Sequence, residues 1–219
     1  MNQEPFDGEA VIHFDNPHDR RAFLKYAALI GVGGSLVAAT GTTAFAASPS
    51  PSPGGSGASQ FGEGDVGILN YALTLEYLEA EFYAKGVAGN FLGEEAALIN
   101  PIAQHEAAHV QALSGTLQKL GKTPVSKPTL KFPSGTFTDK MTFLKTAATF
   151  EETGVKAYHG QVTKVQNGEI LAAAASIAGV ESRHASVINL ILKQKPVPSP
   201  VEANASMEEI LQAIKPFLG

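Results

Sequence analysis

From residue 65 onward, apolar residues recur at three- and four-residue steps, the period of a helix with one buried face. The stretch "DVGILNYALTLEYLEAEFYAKGVA" predicts helix 1 over about 65–88, with Asp65 as N-cap and Gly89-Asn90 as the stop. Helix 2 is expected over roughly 93–120, ending at Gly121, with Pro101 kinking it from inside. Residues 121–138, "GKTPVSKPTLKFPSGTFT", hold three prolines and two glycines and read as a loop. A short extended piece is expected in it around Leu130-Lys131-Phe132. Helix 3 follows over about 139–166, capped by Thr138 or Asp139, and helix 4 over about 168–194, stopped by "KPVPSP". Residues 195–219 then form a Pro-rich connection and a last short helix, about 206–217, opened by the capping box Ser206-x-x-Glu209. A loop as long as 121–138 inside a compact domain needs a reason. Eighteen extended residues reach about 60 Å, against about 40 Å for a 27-residue helix, so the loop can run the length of a bundle. Two helical hairpins joined by one long crossover between helices 2 and 3 make an all-α four-helix bundle over 65–194. No strand-rich region competes.

The pattern is different before residue 65. Residues 47–64, including "SPSPSPGGSGASQFGEG", are dominated by Ser, Pro and Gly and read as a flexible linker. Residues 1–46 contain "DRRAFLKYAALIGVGGSLVAATGTTAFAAS", with paired Arg20 and Arg21, then Phe23-Leu24-Lys25, a mild apolar run and the small-x-small site Ala44-Phe45-Ala46. This resembles a twin-arginine export signal, with Asp19 where Ser or Thr is usual. The resemblance implies export to the periplasm or cell envelope after folding, with any cofactor already inserted. An uncleaved N-terminal membrane helix is the alternative; the Gly-rich run is weakly apolar for that role. Cleavage after Ala46 would remove five acidic and three basic residues and leave a net charge of -3.

Composition narrows the chemistry. The 219 residues carry a net charge of -5, so nothing marks nucleic acid as a partner. With no cysteine, disulfides, thiolate metal sites and cysteine nucleophiles are excluded. Nucleotide loops, serine-nucleophile motifs and haem-attachment motifs are missing from the sequence as well.

What the chain does carry is an internal repeat. "ALTLEYLEAEFY" (72–83) aligns with "AATFEETGVKAY" (147–158), and "PIAQHEAAHVQAL" (101–113) with "SIAGVESRHASVI" (176–188), both at an offset of 75 residues. Under it Glu76 falls on Glu151, Tyr83 on Tyr158, Glu106 on Glu181 and His109 on His184. Residues three apart on a helix are about 60° apart in direction and about 4.5 Å apart along the axis. A carboxylate and an imidazole at that spacing can face one core and share one ion. Tyr83 and Tyr158, seven residues after Glu76 and Glu151, belong on the same inward faces about 10 Å away. Four buried carboxylates without counter-charge would be very costly, whereas two divalent cations balance them. One Glu from each of two helices plus a Glu-x-x-His from each of the others is the ligand pattern of di-iron and di-manganese carboxylate sites.

On these motifs, residues 65–194 resemble the ferritin-like superfamily, in particular its exported bacterial members. The resemblance implies a ferritin-like bundle in which Glu76 and Glu151 are terminal or bridging ligands. It makes Glu106 and Glu181 bridging ligands, puts His109 and His184 on one metal each, and has Tyr83 and Tyr158 hydrogen-bonding the opposite ligands. Glu152 is a rival to Glu151, but the 75-residue register and the spacing to Tyr158 favour Glu151. Glu79, whose counterpart is Gly154, is expected beside the site or on the surface. His105 is expected on the helix surface or behind a ligand, and His159 is expected to be partly exposed. Ligands of this kind suit iron or manganese. The implied activity is di-metal chemistry on Fe(II), O2 or H2O2, either ferroxidase-, peroxidase- or manganese-catalase-like, in protection against oxidative or desiccation stress. The alternative is a non-catalytic metal-binding or structural envelope protein. The oligomeric state is open, a homodimer included, and a storage cage is a weaker reading.

Overall fold

The structure is a computed structural model and describes residues 58–219. The export-signal reading, with Arg20 and Arg21, and most of the linker therefore lie outside the described residues. Among the described residues five α-helices follow one another: α1 Gly64–Ala88, α2 Ala96–Lys119, α3 Lys140–Gln161, α4 Gly168–Ile191 and α5 Met207–Ile214. The first four pack as two antiparallel hairpins, α1 with α2 and α3 with α4, laid face to face as a four-helix bundle. Among the described residues no helix is long and apolar enough to cross a membrane.

The helix ends differ from expectation where long-range contacts intervene. Asp65 does not cap α1; Glu63 holds that position without a side-chain bond. The Asp65 carboxylate instead accepts from the backbone N–H of Gln166 and Asn167, at 2.8 and 2.7 Å. Those donors belong to the turn that ends α3, so α3 stops at Gln161 and not near 166. Asn167 is then extended and caps α4, its side chain accepting from Glu169 and Ile170 N–H. Asp139 caps α3 through Thr142 N–H, and the Ser206–Glu209 capping box closes in both directions at α5. A single 3₁₀ turn, Gly93–Glu95, precedes α2, which is helical on both sides of Pro101.

The crossover tracks along α1. Buried Asn70 accepts from Val125 N–H at 2.9 Å and donates to the Phe61 carbonyl, also at 2.9 Å. Further on, Lys127 pairs with Glu81, and Phe132 and Phe137 pack against Phe82. The extended piece expected near Leu130 pairs with the C-terminal tail: Leu130 bridges Leu218, and Lys131 N–H donates to the Phe217 carbonyl. Two apolar clusters fill the bundle. One centres on Phe82, Phe143 and Phe150, the other on Leu73, Leu117 and Leu171. The polar residues of the repeat lie in the layer between them.

Candidate metal centre

The six repeat-related side chains converge. Glu76, Glu106, Glu151 and Glu181 are fully buried, and His109 and His184 are 8% and 3% exposed. They fall into two overlapping groups, Glu76, Glu106, His109 and Glu181, and Glu106, Glu151, Glu181 and His184. Within each group the candidate ligand atoms lie within 4.8 Å of one another.

The atoms divide in an orderly way. His109 Nδ1 is 3.3 Å from Glu76 Oε2, 3.2 Å from Glu106 Oε2 and 3.0 Å from Glu181 Oε1. His184 Nδ1 is 2.8 Å from Glu106 Oε1, 3.5 Å from Glu151 Oε2 and 3.7 Å from Glu181 Oε2. Glu106 and Glu181 thus give one oxygen to each histidine, while Glu76 and Glu151 serve one histidine apiece. Glu106 and Glu181 stand where bridging carboxylates of a di-metal site would be, and Glu76 and Glu151 where terminal ones would be. The remaining oxygen of each terminal carboxylate is held from the opposite hairpin. Tyr158 donates to Glu76 Oε1 and Tyr83 donates to Glu151 Oε1.

Most of the inward-facing atoms are left without hydrogen bonds: Glu76 Oε2, Glu106 Oε1, Glu151 Oε2, both oxygens of Glu181 and Nδ1 of His184. His184 Nδ1 and Glu106 Oε1 are only 2.8 Å apart, yet they are not aligned as donor and acceptor. Buried polar atoms are normally paired, so a set of unpaired donor atoms aimed at one another needs an occupant. Oxygen and nitrogen donors with no sulfur fit divalent iron or manganese.

The electrostatics describe how the protein holds these groups without metal. Burial opposes charge on both imidazoles, but the carboxylates around them outweigh it and push His109 and His184 up to about 12. Burial also works against the Glu106 carboxylate; the His109 and His184 rings beside it prevail and hold it at about 2. Glu151 goes the other way, pushed up to about 8 by burial and by the neighbouring Glu181 and Glu106 in spite of His184. Burial drives Glu76 well above the usual carboxylate range. Tyr83 and Tyr158 are also raised, by burial and then by their carboxylate partners.

The neighbouring candidates also find places. Glu152 is half-buried and accepts from Asn189 at 3.4 Å, away from the convergent six. Glu79 is not a surface residue. It is 3% exposed, and its carboxylate lies against Gly154, where an added Cβ would come within 3.2 Å of Glu79 Oε1 and 3.6 Å of Glu181 Oε2. Burial, with Glu181 and Glu106 nearby, pushes its carboxyl well up. Its sequence signal was faint: a Glu one turn after Glu76 on an apolar face, matched by a glycine in the repeat. His105 is exposed, as expected, but its ring crosses to α4 and meets His184. His159 is half-buried.

The family model described as "Ferritin-like domain" matches residues 64–194, the whole of the four main helices. The chain belongs to that family: it is a ferritin-like domain protein with buried Glu/His clusters typical of a di-metal carboxylate site. A search of curated proteins found no match.

Proposed function

We propose that this protein is an exported di-metal carboxylate oxidoreductase that oxidises Fe(II) or acts on O2 or H2O2 in stress protection. The observation that carries the reading is the division of oxygens. Glu106 and Glu181 each face both histidines, whereas Glu76 and Glu151 each face one. That arrangement supports two ions side by side, Glu76 and His109 on one, Glu151 and His184 on the other. Four carboxylates against two divalent cations also leave no net charge in the core. When bound, two such ions supply the exchange of electrons with O2 or H2O2.

The chain supplies the rest. Glu106 and Glu181 set the separation of the two positions. Tyr83 and Tyr158 fix the terminal carboxylates and keep phenolic protons beside them. The apolar clusters on either side exclude bulk water. Of the six groups, the His109 side chain is the most accessible, at 10%, so small molecules approach past its ring. A signal of the twin-arginine type, with Arg20 and Arg21, supports loading of metal in the cytoplasm and function in the periplasm or cell envelope.

The test is metal content by mass spectrometry on protein recovered from its own cell envelope, with Glu106→Ala and Glu181→Ala beside it. About two iron or manganese ions per chain are expected in the wild type, and a large loss in both variants. Fe(II) oxidation and H2O2 consumption are measured on the same samples. Equal metal loading in all three proteins removes the site; full loading with no metal-dependent rate leaves a binding protein and removes the oxidoreductase.

A further inference from the structure

The 75-residue repeat makes the two histidine ligands formally equivalent, but their surroundings are not. His184 turns Nδ1 toward Glu106, Glu151 and Glu181, and its other nitrogen, Nε2, lies 2.9 Å from Nδ1 of His105 on α2. The two rings are nearly parallel, 11° apart in plane, with centroids 5.2 Å apart. The link therefore joins opposite hairpins and holds the His184 ring by its edge, nearly coplanar with that of His105. The repeat partner of His105 is Val180, which has no hydrogen-bonding side chain. Every polar contact of His109 among the described residues is made through Nδ1.

A histidine that gives its Nδ1 lone pair to a metal carries its proton on Nε2. In His184 that proton has an acceptor, His105 Nδ1, so the ring orientation is set before any ion arrives and Nε2 keeps its proton when Nδ1 is the nitrogen that ligates. In His109 no side chain performs this task. Such outer partners orient the ligand and raise its basicity, and their loss typically costs about 10–100-fold in metal affinity.

We propose that His105 is a positioning residue for His184, and that it makes the Glu151–His184 metal position tighter than the Glu76–His109 position. The two ions then bind in order, the His184 side first. This rests on the di-metal reading above, and it concerns affinity and order of filling, not the reaction.

The experiment is a titration of metal-free full-length protein with Mn(II), free Mn(II) being counted by electron paramagnetic resonance. The wild type takes up two ions in separable steps. His105→Leu weakens the tighter step by about 10–100-fold and leaves the other within about twofold. His105→Gln, whose Oε1 can accept the same bond, retains most of the tighter affinity. Helix content by circular dichroism is the folding control, and His105 is exposed, so the substitutions disturb no core. The inference is overturned if His105→Leu binds both ions as the wild type does, if both steps weaken alike, or if Gln is as poor as Leu. A wild type that binds fewer than two ions overturns the di-metal reading as well; two ions bound with no effect of His105→Leu overturns this inference alone.

Discussion

Metal uptake by this protein must displace protons, and the buried layer names the groups that give them up. In the metal-free protein at pH 7, His109 and His184 are imidazolium, being pushed up to about 12. Glu151, at about 8, is roughly nine-tenths protonated there, and burial pushes Glu76 in the same direction, well above the carboxylate range. Glu106, at about 2, is already ionised. Ligation needs neutral imidazoles and ionised carboxylates. Two divalent ions therefore replace one proton from each of Glu151, His109 and His184, about three, and the upward shift of Glu76 adds to that number. Tyr83 and Tyr158 face the same space and, raised above the usual phenol range, keep their protons; burial pushes the Glu79 carboxyl up as well. Three protons for two ions means that the apparent affinity for the pair rises by roughly a thousandfold or more per pH unit near neutrality. Calorimetric titration with Mn(II) in buffers of different ionisation enthalpy measures the count directly. Uptake of two ions with one proton or none released would refute the protonation pattern derived from this geometry.

Two further predictions follow from the same layer and from the packing around it. Because His109, His184 and Glu151 all hold protons more tightly folded than unfolded, metal-free stability should fall as pH rises. The histidine contribution is complete below about 6.5 and is lost toward about 12, and that of Glu151 is complete below about 4.5 and lost through about 8. Melting of the metal-free protein should occur several degrees lower at pH 8.5 than at pH 5.5, with saturating Mn(II) reversing the order because ligation empties the same groups of protons; a higher melting temperature at pH 8.5 without metal would contradict the assignment. Gly86 packs so closely on Phe143 that an added Cβ would sit 2.2 Å from Cε2, whereas a Cβ on Gly115 meets nothing within 4 Å. Gly86→Ala is expected to cost about 1–3 kcal/mol by overpacking, and Gly115→Ala to gain about 0.5–1 kcal/mol from helix propensity. Thermal melts of the two variants should move in opposite directions; a shift of the same sign in both would contradict the packing.

The two hairpins, the crossover and the six convergent residues were all legible in the chain, because they follow from local periodicity and from one repeated interval. What the pattern missed depends on contacts across helices. The early end of α3 is set by Asp65, 101 residues away from the N–H of Gln166 that it binds. The burial of Glu79 depends on Gly154 facing it from α3, and the reach of His105 depends on how close α2 comes to α4 at that level. Helical spacing gives the direction of a side chain around its own axis and says nothing of the neighbour it meets. The choice between terminal and bridging carboxylates was open for the same reason: it is decided by which oxygen faces which histidine.

The repeat means that the first hairpin already contains half of the candidate centre: one glutamate that faces a single histidine, one glutamate shared between both, one histidine and one tyrosine. Two identical hairpins around a true dyad would complete it, and each tyrosine would reach into the other half as Tyr83 and Tyr158 do here. Glu79 shows the limit of such symmetry, since the facing position, Gly154, has no room for a second side chain of that size. Covalent joining of the halves released them from being copies, so one could keep a carboxylate where the other gave way, and one could acquire an outward imidazole alone. A homodimer of hairpins has no access to that division of labour; a fused one does.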